Sequence, residues 1–393
     1  VVVINGARQV GKSTLAQSVL HQQRGGVARF LDEPLTRAAA EADPMGFLRH
    51  DALMLIDEVQ RVPDLWLAIK YLVDREPRPG QFLLTGSARL LALPSLQDAL
   101  PGRSETIELF PLSQGEIDDA PDGFVDAAFA FGSEVSAEPS PLRRSDYLFR
   151  IARGGFPESW RRDTPRRRQR FFESYIADLL GRDVRQLADI EKASEMRRLM
   201  SMLAARAAGI LNLSRFAGGL NISAPTARNY VEILEAVYLL RLIPAWSANL
   251  TSRAVAAPKV VVTDSGLATY LTSGSTADSV AGGLFENFVI GELARQLTWS
   301  RVSARLYHYR DRDMNEVDAL LEDNAGKVVG VEVKAAETVR ASDFRGLRHL
   351  QRRLGPRFVA GFVCYTGAES FSFGPGLACL PISALWTTPA PPS

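Results

Sequence analysis

The stretch Val1-Val2-Val3-Ile4-Asn5-Gly6-Ala7-Arg8-Gln9-Val10-Gly11-Lys12-Ser13-Thr14 decides how the rest of the chain is read. Its opening run is apolar and β-branched up to Asn5, the composition of a buried parallel strand. From Gly6 the residues fit the pattern G-x-x-x-x-G-K-[ST], and residues 15–20 continue as a good helix. Strand, glycine loop and helix in that order predict a phosphate-binding loop. Gly6 and Gly11 let the backbone curl so that several N–H groups converge on an anion at the positive end of the helix. Lys12 can reach the outer phosphates, and the Ser13 hydroxyl can ligate Mg²⁺. Gly6, Ala7, Arg8, Gln9, Val10, Gly11, Lys12, Ser13 and Thr14 are therefore the candidate nucleotide-binding residues. A glycine turn with a surface lysine is the alternative, and the flanking strand and helix speak against it.

Outward from the loop, residues 27–32 and 52–58 read as further strands. The second of these ends in Asp57 and Glu58. In a doubly wound sheet ligands lie beyond the carboxyl ends of the strands, so both carboxylates are expected to face the phosphates. Asp57 is then a Mg²⁺ ligand, directly or through water, and Glu58 orients or deprotonates the attacking water. A helix cap is the plainer role for such a pair. Residues 81–87 form another buried strand ending in hydroxyls. Ser87 (or Thr85) is a candidate sensor of the γ-phosphate, with a simple turn as the open alternative. Arg103 is a candidate arginine finger, because a guanidinium can stabilise charge developing on phosphates.

The whole chain has 393 residues, 46% apolar and 23% charged, an ordinary soluble composition with room for several domains. A net charge of +1 gives no global case for nucleic acid, so any basic surface must be local. Cys364 and Cys379 are the only cysteines, which offers neither a metal spacing nor a disulfide framework and predicts a reducing, cytoplasmic location. No long apolar run or signal peptide is visible, so no membrane association is expected. Because the chain starts on the first strand, an upstream segment packing on the adenine is expected to be missing.

Residues 121–141 are rich in Ala, Gly, Ser and Pro and read as a loose connection or insert. Residues 161–168 are the most basic run. A phosphate contact and a solvated helix start are the two readings for it. Residues 197–208, 213–220 and 224–240 read as three helices, with Ser223 as an N-cap, a tight turn before the third helix and a wing beginning near residue 242. Thr226, Arg228 and Asn229 lie where base-edge contacts are usually made, although such helix-turn-helix modules also serve for protein contact.

Residues 316–321 and 328–334 alternate as a hairpin around the turn 323–327. A constant-sum register pairs Glu322 with Val328, Leu320 with Gly330 and Asp318 with Glu332. It puts Val317, Ala319 and Leu321 on one apolar face with Val329, Val331 and Val333. Asp318, Glu332 and Lys334 then share the other face. Facing carboxylates repel unless a cation lies between them, and hard oxygens suit Mg²⁺ or Mn²⁺. Asp318 and Glu332, with Glu286 on a preceding helix, are the candidate metal ligands, and Lys334 positions a water or stabilises developing charge.

The loop at 6–13, Leu55-Ile56-Asp57-Glu58-Val59-Gln60, Leu84-Thr85-Gly86-Ser87, Gly102-Arg103, Gly154-Gly155-Phe156-Pro157-Glu158 and Pro258-Lys259…Asp264-Ser265-Gly266-Leu267 resemble AAA+-type ATPases of bacteria and archaea that carry a C-terminal domain related to restriction-endonuclease-like nucleases. The Asp318 and Glu332-Val333-Lys334 pair resembles the PD-(D/E)xK motif, with Val317 where that motif has proline. The resemblance implies an α/β P-loop core at 1–112, an insert, helical lid and linker at 113–190, and a winged helix-turn-helix at 191–255. A nuclease-like α/β domain at 256–387 and a tail at 388–393 complete it. The expected function is ATP binding and hydrolysis coupled to a DNA-handling, Mg²⁺-dependent nuclease-like domain. The alternative is a non-cleaving, ATP-driven switch or scaffold that binds a protein or nucleic-acid partner. An oligomer is compatible with either.

Overall fold

The computed structural model describes residues 1–86, 100, 102–135, 137–184, 193–247, 253, 256–273 and 278–392. The chain divides into two compact units, one of residues 1–111 with 236–238, the other of 112–235 with 239–393.

The first unit is built on five parallel strands, β1 (Val2–Asn5), β2 (Val27–Phe30), β3 (Met54–Asp57), β4 (Phe82–Thr85) and β5 (Glu105–Glu108), in the order β2-β3-β4-β1-β5. Each expected strand is present, because runs such as Met54-Leu55-Ile56 are apolar on both faces and need cover on both. Leu65, Trp66 and Ile69 of the helix Asp64–Arg75 cover one face with Val3, Ile56 and Leu84. Ala16, from the helix Lys12–His21, covers the other with Ile4, Leu55 and Leu83. The edge strand β5 is largely exposed.

In the second unit a small antiparallel pair, β6 (Leu240–Ile243) and β7 (Lys259–Val262), adjoins three helices, Ala193–Ala204, Leu213–Leu220 and Ala224–Ala236. Ile210 bridges Lys259, so the segment between the first two helices also joins β7. This pairing crosses the boundary expected at 255/256. The Ser223 hydroxyl accepts the Thr226 N–H at 3.1 Å, as an N-cap does. The third helix stops at Ala236, short of the expected 240, since Leu240 is taken up by β6.

A six-stranded sheet follows: β8 (Ala304–Arg310), β9 (Glu316–Asp323), β10 (Val328–Lys334), β11 (Phe358–Tyr365), β12 (Phe371–Ser372) and β13 (Leu377–Pro381), in the order β12-β13-β11-β10-β9-β8. Strands β8, β9 and β10 form an antiparallel meander. The helix Arg345–Leu354 then carries the chain over so that β11 lies parallel to β10, as such a crossover requires. The long helix Asp278–Gln296 precedes the meander.

Residues 121–141 are not a loose insert. Phe124–Phe131 is a helix with Phe124, Val125, Ala127 and Ala128 buried, and the Phe124 ring meets Phe362 at 5.3 Å. Gln296 accepts the Val125 N–H at 3.1 Å, and Glu292 accepts that of Gln114 at 2.9 Å. Small residues in this stretch reflect tight packing against a distant helix, a contact that local composition does not reveal. The basic run at 161–168 is engaged in part, with Arg166 and Arg167 exposed. Arg161 and Arg162 pair with Glu158, and Arg168 is buried, donating to the carbonyls of Arg162 and Asp163. Among the described residues no helix is long and apolar enough to cross a membrane. Both cysteines are free and buried.

Candidate functional site

The phosphate loop leaves β1 at its carboxyl end. Gly6 and Gly11 adopt φ of +150° and +103°, conformations that L side chains rarely reach. A Cβ on Gly6 would also lie 2.3 Å from the Leu109 carbonyl oxygen, so glycine is required there twice over. Ala7 and Val10 are buried and anchor the loop, while Arg8 is half-buried and Gln9 and Thr14 are exposed. Lys12 is buried, and its ammonium donates to the carbonyls of Gly6 at 3.0 Å and Ala7 at 2.7 Å.

Strand β3 brings Asp57 to the same place. The Ser13 hydroxyl donates to Asp57 Oδ1 at 2.7 Å, and the buried Thr85 hydroxyl donates to the same oxygen. Glu58 follows in a left-handed conformation (φ 57°), its N–H donating to Thr85 Oγ1 at 3.2 Å and its carboxylate accepting from Gln60. For a residue with a Cβ this backbone is strained, and it turns Glu58 sharply away from the strand. Two hard oxygens, of Ser13 and Asp57, thus meet beside a buried ammonium and the start of a helix, a donor set that fits Mg²⁺ and phosphates. Thr85 supplies a hydroxyl here, and Ser87 lies outside the described residues.

Arg103 is not part of this cluster. It precedes β5, whose Glu105 sits opposite Val2, and its carbonyl accepts from the Val1 amino group at 3.1 Å. It therefore lies at the amino end of the parallel strands, whereas Lys12 and Asp57 lie at the carboxyl end. Its guanidinium pairs with Asp74. Within one chain the arginine-finger expectation is corrected.

In the second unit the expected hairpin register is found from Glu322–Val328 through Ala319–Val331. The ladder ends there, and Asp318 does not pair with Glu332 across it. Its carboxylate instead accepts the Val333 N–H at 3.0 Å. The cause lies on the other side of β9, where three steps from Leu320 to Val317 match two from Tyr307 to Tyr309 on β8. This extra residue is a bulge, which re-aims side chains. Val317 consequently packs in the cluster that holds Leu320 and Val328, not with Ala319 and Leu321.

The largest difference from expectation is Lys259. Its ammonium, 1% exposed, lies 2.9 Å from Asp318, 3.5 Å from Glu316 and 3.7 Å from Glu286. A protein cation thus stands where a metal ion was expected to relieve the carboxylates. Among the described residues no group of His, Cys, Asp or Glu is arranged to hold a metal ion. Burial alone lowers a lysine's pKa, but Asp318, Glu286 and Glu316 outweigh it and hold Lys259 well above its usual value. Lys334 donates to Glu332 Oε1 at 3.0 Å, while Glu332 Oε2 is buried and has no hydrogen-bond partner among the described residues. Burial, then the charge of Asp318, raises both Glu286 and Glu332 above the ordinary carboxylate range. The sequence did carry a signal for Lys259: a lysine opens the wholly buried strand Lys259-Val260-Val261-Val262. A buried lysine calls for buried acids.

Three family models match: residues 1–118 an "AAA domain", residues 144–278 a "Domain of unknown function (DUF8612)", and residues 281–385 a "Domain of unknown function (DUF4143)". Uncharacterised proteins of Mycobacterium tuberculosis and Mycobacterium bovis are each 29% identical over 396 residues, covering 99% of this chain and 81% of theirs. Among solved structures, a Walker-type ATPase of Pyrococcus abyssi aligns at 15% identity and TM-score 0.39, covering 69% of this chain and 90% of that one. A Holliday junction branch migration motor, RuvB of Thermotoga maritima, aligns at 18% identity and TM-score 0.27, covering 62% and 82%. The chain thus carries an AAA-type P-loop ATPase domain at its amino end, followed by two segments that match families of unknown function.

Proposed function

We propose that the chain binds and hydrolyses ATP, and that its nucleotide state governs a DNA-handling second unit. The observation that carries the first half is the meeting of Ser13, Asp57 and Lys12 at one end of the sheet. Lys12 exchanges the carbonyls of Gly6 and Ala7 for the outer phosphates, and the loop N–H groups hold the chain of phosphates. Mg²⁺, ligated by Ser13 and, directly or through water, by Asp57, supplies charge neutralisation on the phosphate oxygens. Glu58 orients the lytic water and accepts its proton, with Thr85 linking it to Asp57.

For the second half, support comes from the helix pair Leu213–Leu220 and Ala224–Ala236, which leaves Arg228 and Asn229 exposed, and from the β6–β7 pair as a wing. The succession of helix, three-strand meander, helix and parallel strand resembles the restriction-endonuclease-like core. Between holding DNA and cutting it, Lys259 favours holding: its ammonium already neutralises Asp318, the first acid of the expected site. Cleavage is the second reading, favoured by the unpartnered Oε2 of Glu332 beside Lys334. In that reading Glu286, Asp318 and Glu332 would hold Mg²⁺, which would neutralise charge on the phosphodiester, only with Lys259 displaced from Asp318.

Phosphate release from ATP, with and without duplex DNA, tests the proposal. Turnover that DNA stimulates and Lys12→Ala abolishes is expected; turnover unchanged in Lys12→Ala sinks the ATPase assignment. Mg²⁺- or Mn²⁺-dependent cleavage that disappears in Asp318→Ala with Glu332→Ala would establish the second reading over the first.

A further inference from the structure

The run at 161–168 keeps Arg166 and Arg167 exposed, and a second basic surface lies elsewhere in the same unit. That surface forms where the end of β8, the turn 311–315 and the helix Arg345–Leu354 come together. The helix buries Leu347, Leu350 and Leu354 against Phe344, Leu320 and Val328, which turns its arginines outward. One flank borders a groove of about 1040 Å³ whose charged lining is Arg310, Arg312, Arg352 and Arg353 against Asp311 and Asp313, with His349 beside them. The other flank borders a second groove, about 460 Å³, lined by Arg345, Arg348 and again Arg352.

We propose that these joined grooves bind the phosphodiester backbone of DNA, with Arg310, Arg312, Arg345, Arg348, Arg352 and Arg353 contacting phosphates. This rests on the DNA-handling reading above and gives it a location. The hydrogen bonds these arginines make go to neutral acceptors. Arg345 donates to the Met314 carbonyl at 3.1 Å, Arg348 to that of Ala341 at 2.6 Å, Arg353 to the Tyr309 hydroxyl at 2.9 Å and Arg310 to the Met314 sulfur at 3.3 Å. Among the described residues none of the six forms an ion pair with a carboxylate. Nearby acids are fewer and mostly engaged. Asp311 is held by Asn315 and His349, and Asp343 accepts the Arg340 N–H, which leaves Asp313 exposed on the turn.

Unneutralised guanidinium groups this close repel one another and gain from a polyanion. From Arg345 to Arg352 the helix spans about 10 Å, along which a duplex presents a charge every ~1.7 Å. The guanidinium fork also matches phosphate geometry. With a net charge of only +1 for the whole chain, this clustering is a local feature and not a general excess. Spacing at i, i+3 and i+7 hides it in the sequence, and the turn joins it only through the fold.

The test is fluorescence anisotropy of a labelled 20-base-pair duplex, and of one of its strands, with the full chain between 50 and 200 mM salt. Binding should weaken with salt at a log–log slope of about −5, as six phosphate contacts require. Arg312→Glu with Arg352→Glu, two exposed side chains, should weaken binding at least about tenfold at 50 mM salt and flatten the slope by about 2, since each arginine accounts for about one contact. Arg348→Gln, on the other flank, should flatten it by about 1. An unchanged urea midpoint followed by far-ultraviolet circular dichroism shows that the second unit of the variants folds, and unchanged ATP turnover shows the same of the first. If the double variant binds DNA with wild-type affinity and slope while Arg228→Ala abolishes binding, the groove is overturned and DNA handling through the helix-turn-helix stands. If the wild-type chain binds neither DNA at 50 mM salt, groove and DNA-handling reading fall together.

Discussion

The Ser13 hydroxyl and Asp57 Oδ1 are 2.7 Å apart, although they are separated by 44 positions in the chain, one in the helix that follows the loop after β1 and the other at the end of β3. Parallel pairing through β4 aligns the carboxyl ends of β1 and β3, and this alone makes a loop and an acidic strand end into one site. Ser13→Ala and Asp57→Asn should each cut ATP turnover by roughly two to three orders of magnitude, because the first removes an oxygen that would hold the metal and the second removes the carboxylate charge that would hold it. Their effects should combine to less than the product. Phosphate-release kinetics of the singles and the double decide it: fully multiplicative losses would show that the two residues act separately.

Lys259 is predicted to hold the second unit together. Lys259→Met leaves Asp318, which is 6% exposed, as a buried carboxylate without its cation, and should cost on the order of 3–5 kcal/mol. Adding Asp318→Asn should restore most of that loss, since the amide oxygen can still accept the Val333 N–H. Urea denaturation at pH 7 measures both. Equal stability of wild type and Lys259→Met would refute the counter-ion role.

His308 should make the second unit acid-sensitive. It is buried next to Lys259, and burial first, then that charge, lowers its pKa to about 4. In the unfolded chain it titrates near 6.5. Between these values the unfolded state binds the extra proton, so stability is fully present above about pH 6.5 and is lost as pH falls towards about 4. The loss is on the order of 3 kcal/mol. His308→Gln should lose less over that interval, measured as the shift in urea midpoint; a parallel decline in both proteins would exclude the histidine.

Phe124→Ala should destabilise the second unit by about 3–5 kcal/mol, because a fully buried ring against Phe362 leaves a cavity. Thermal or urea denaturation followed by far-ultraviolet circular dichroism reads this directly. A change below about 0.5 kcal/mol, typical of surface sites, would return residues 121–141 to the status of an insert.

By itself the sequence determined the amino-terminal strand, loop and helix, while their meeting with Asp57 came from the pairing of the sheet. Strand, loop and helix are contiguous, and the glycines at 6 and 11 and the apolar run before Asp57-Glu58 are local demands that local residues meet. The hairpin register from Glu322–Val328 to Ala319–Val331 was legible for the same reason, since a short turn fixes the pairing of the strands beside it. Tertiary structure decided the rest. Asp318 left the ladder because a bulge against β8 re-aimed it, and Lys259 reached it across 59 positions. Phe124 is core because a helix and a strand far along the chain cover it, and Arg103 sits at the wrong end of the sheet for the phosphates of its own chain. Charge, burial and pairing at those positions are set by neighbours distant in sequence: a residue's own surroundings in the chain can show that it is buried, as at Lys259, but not which group meets it.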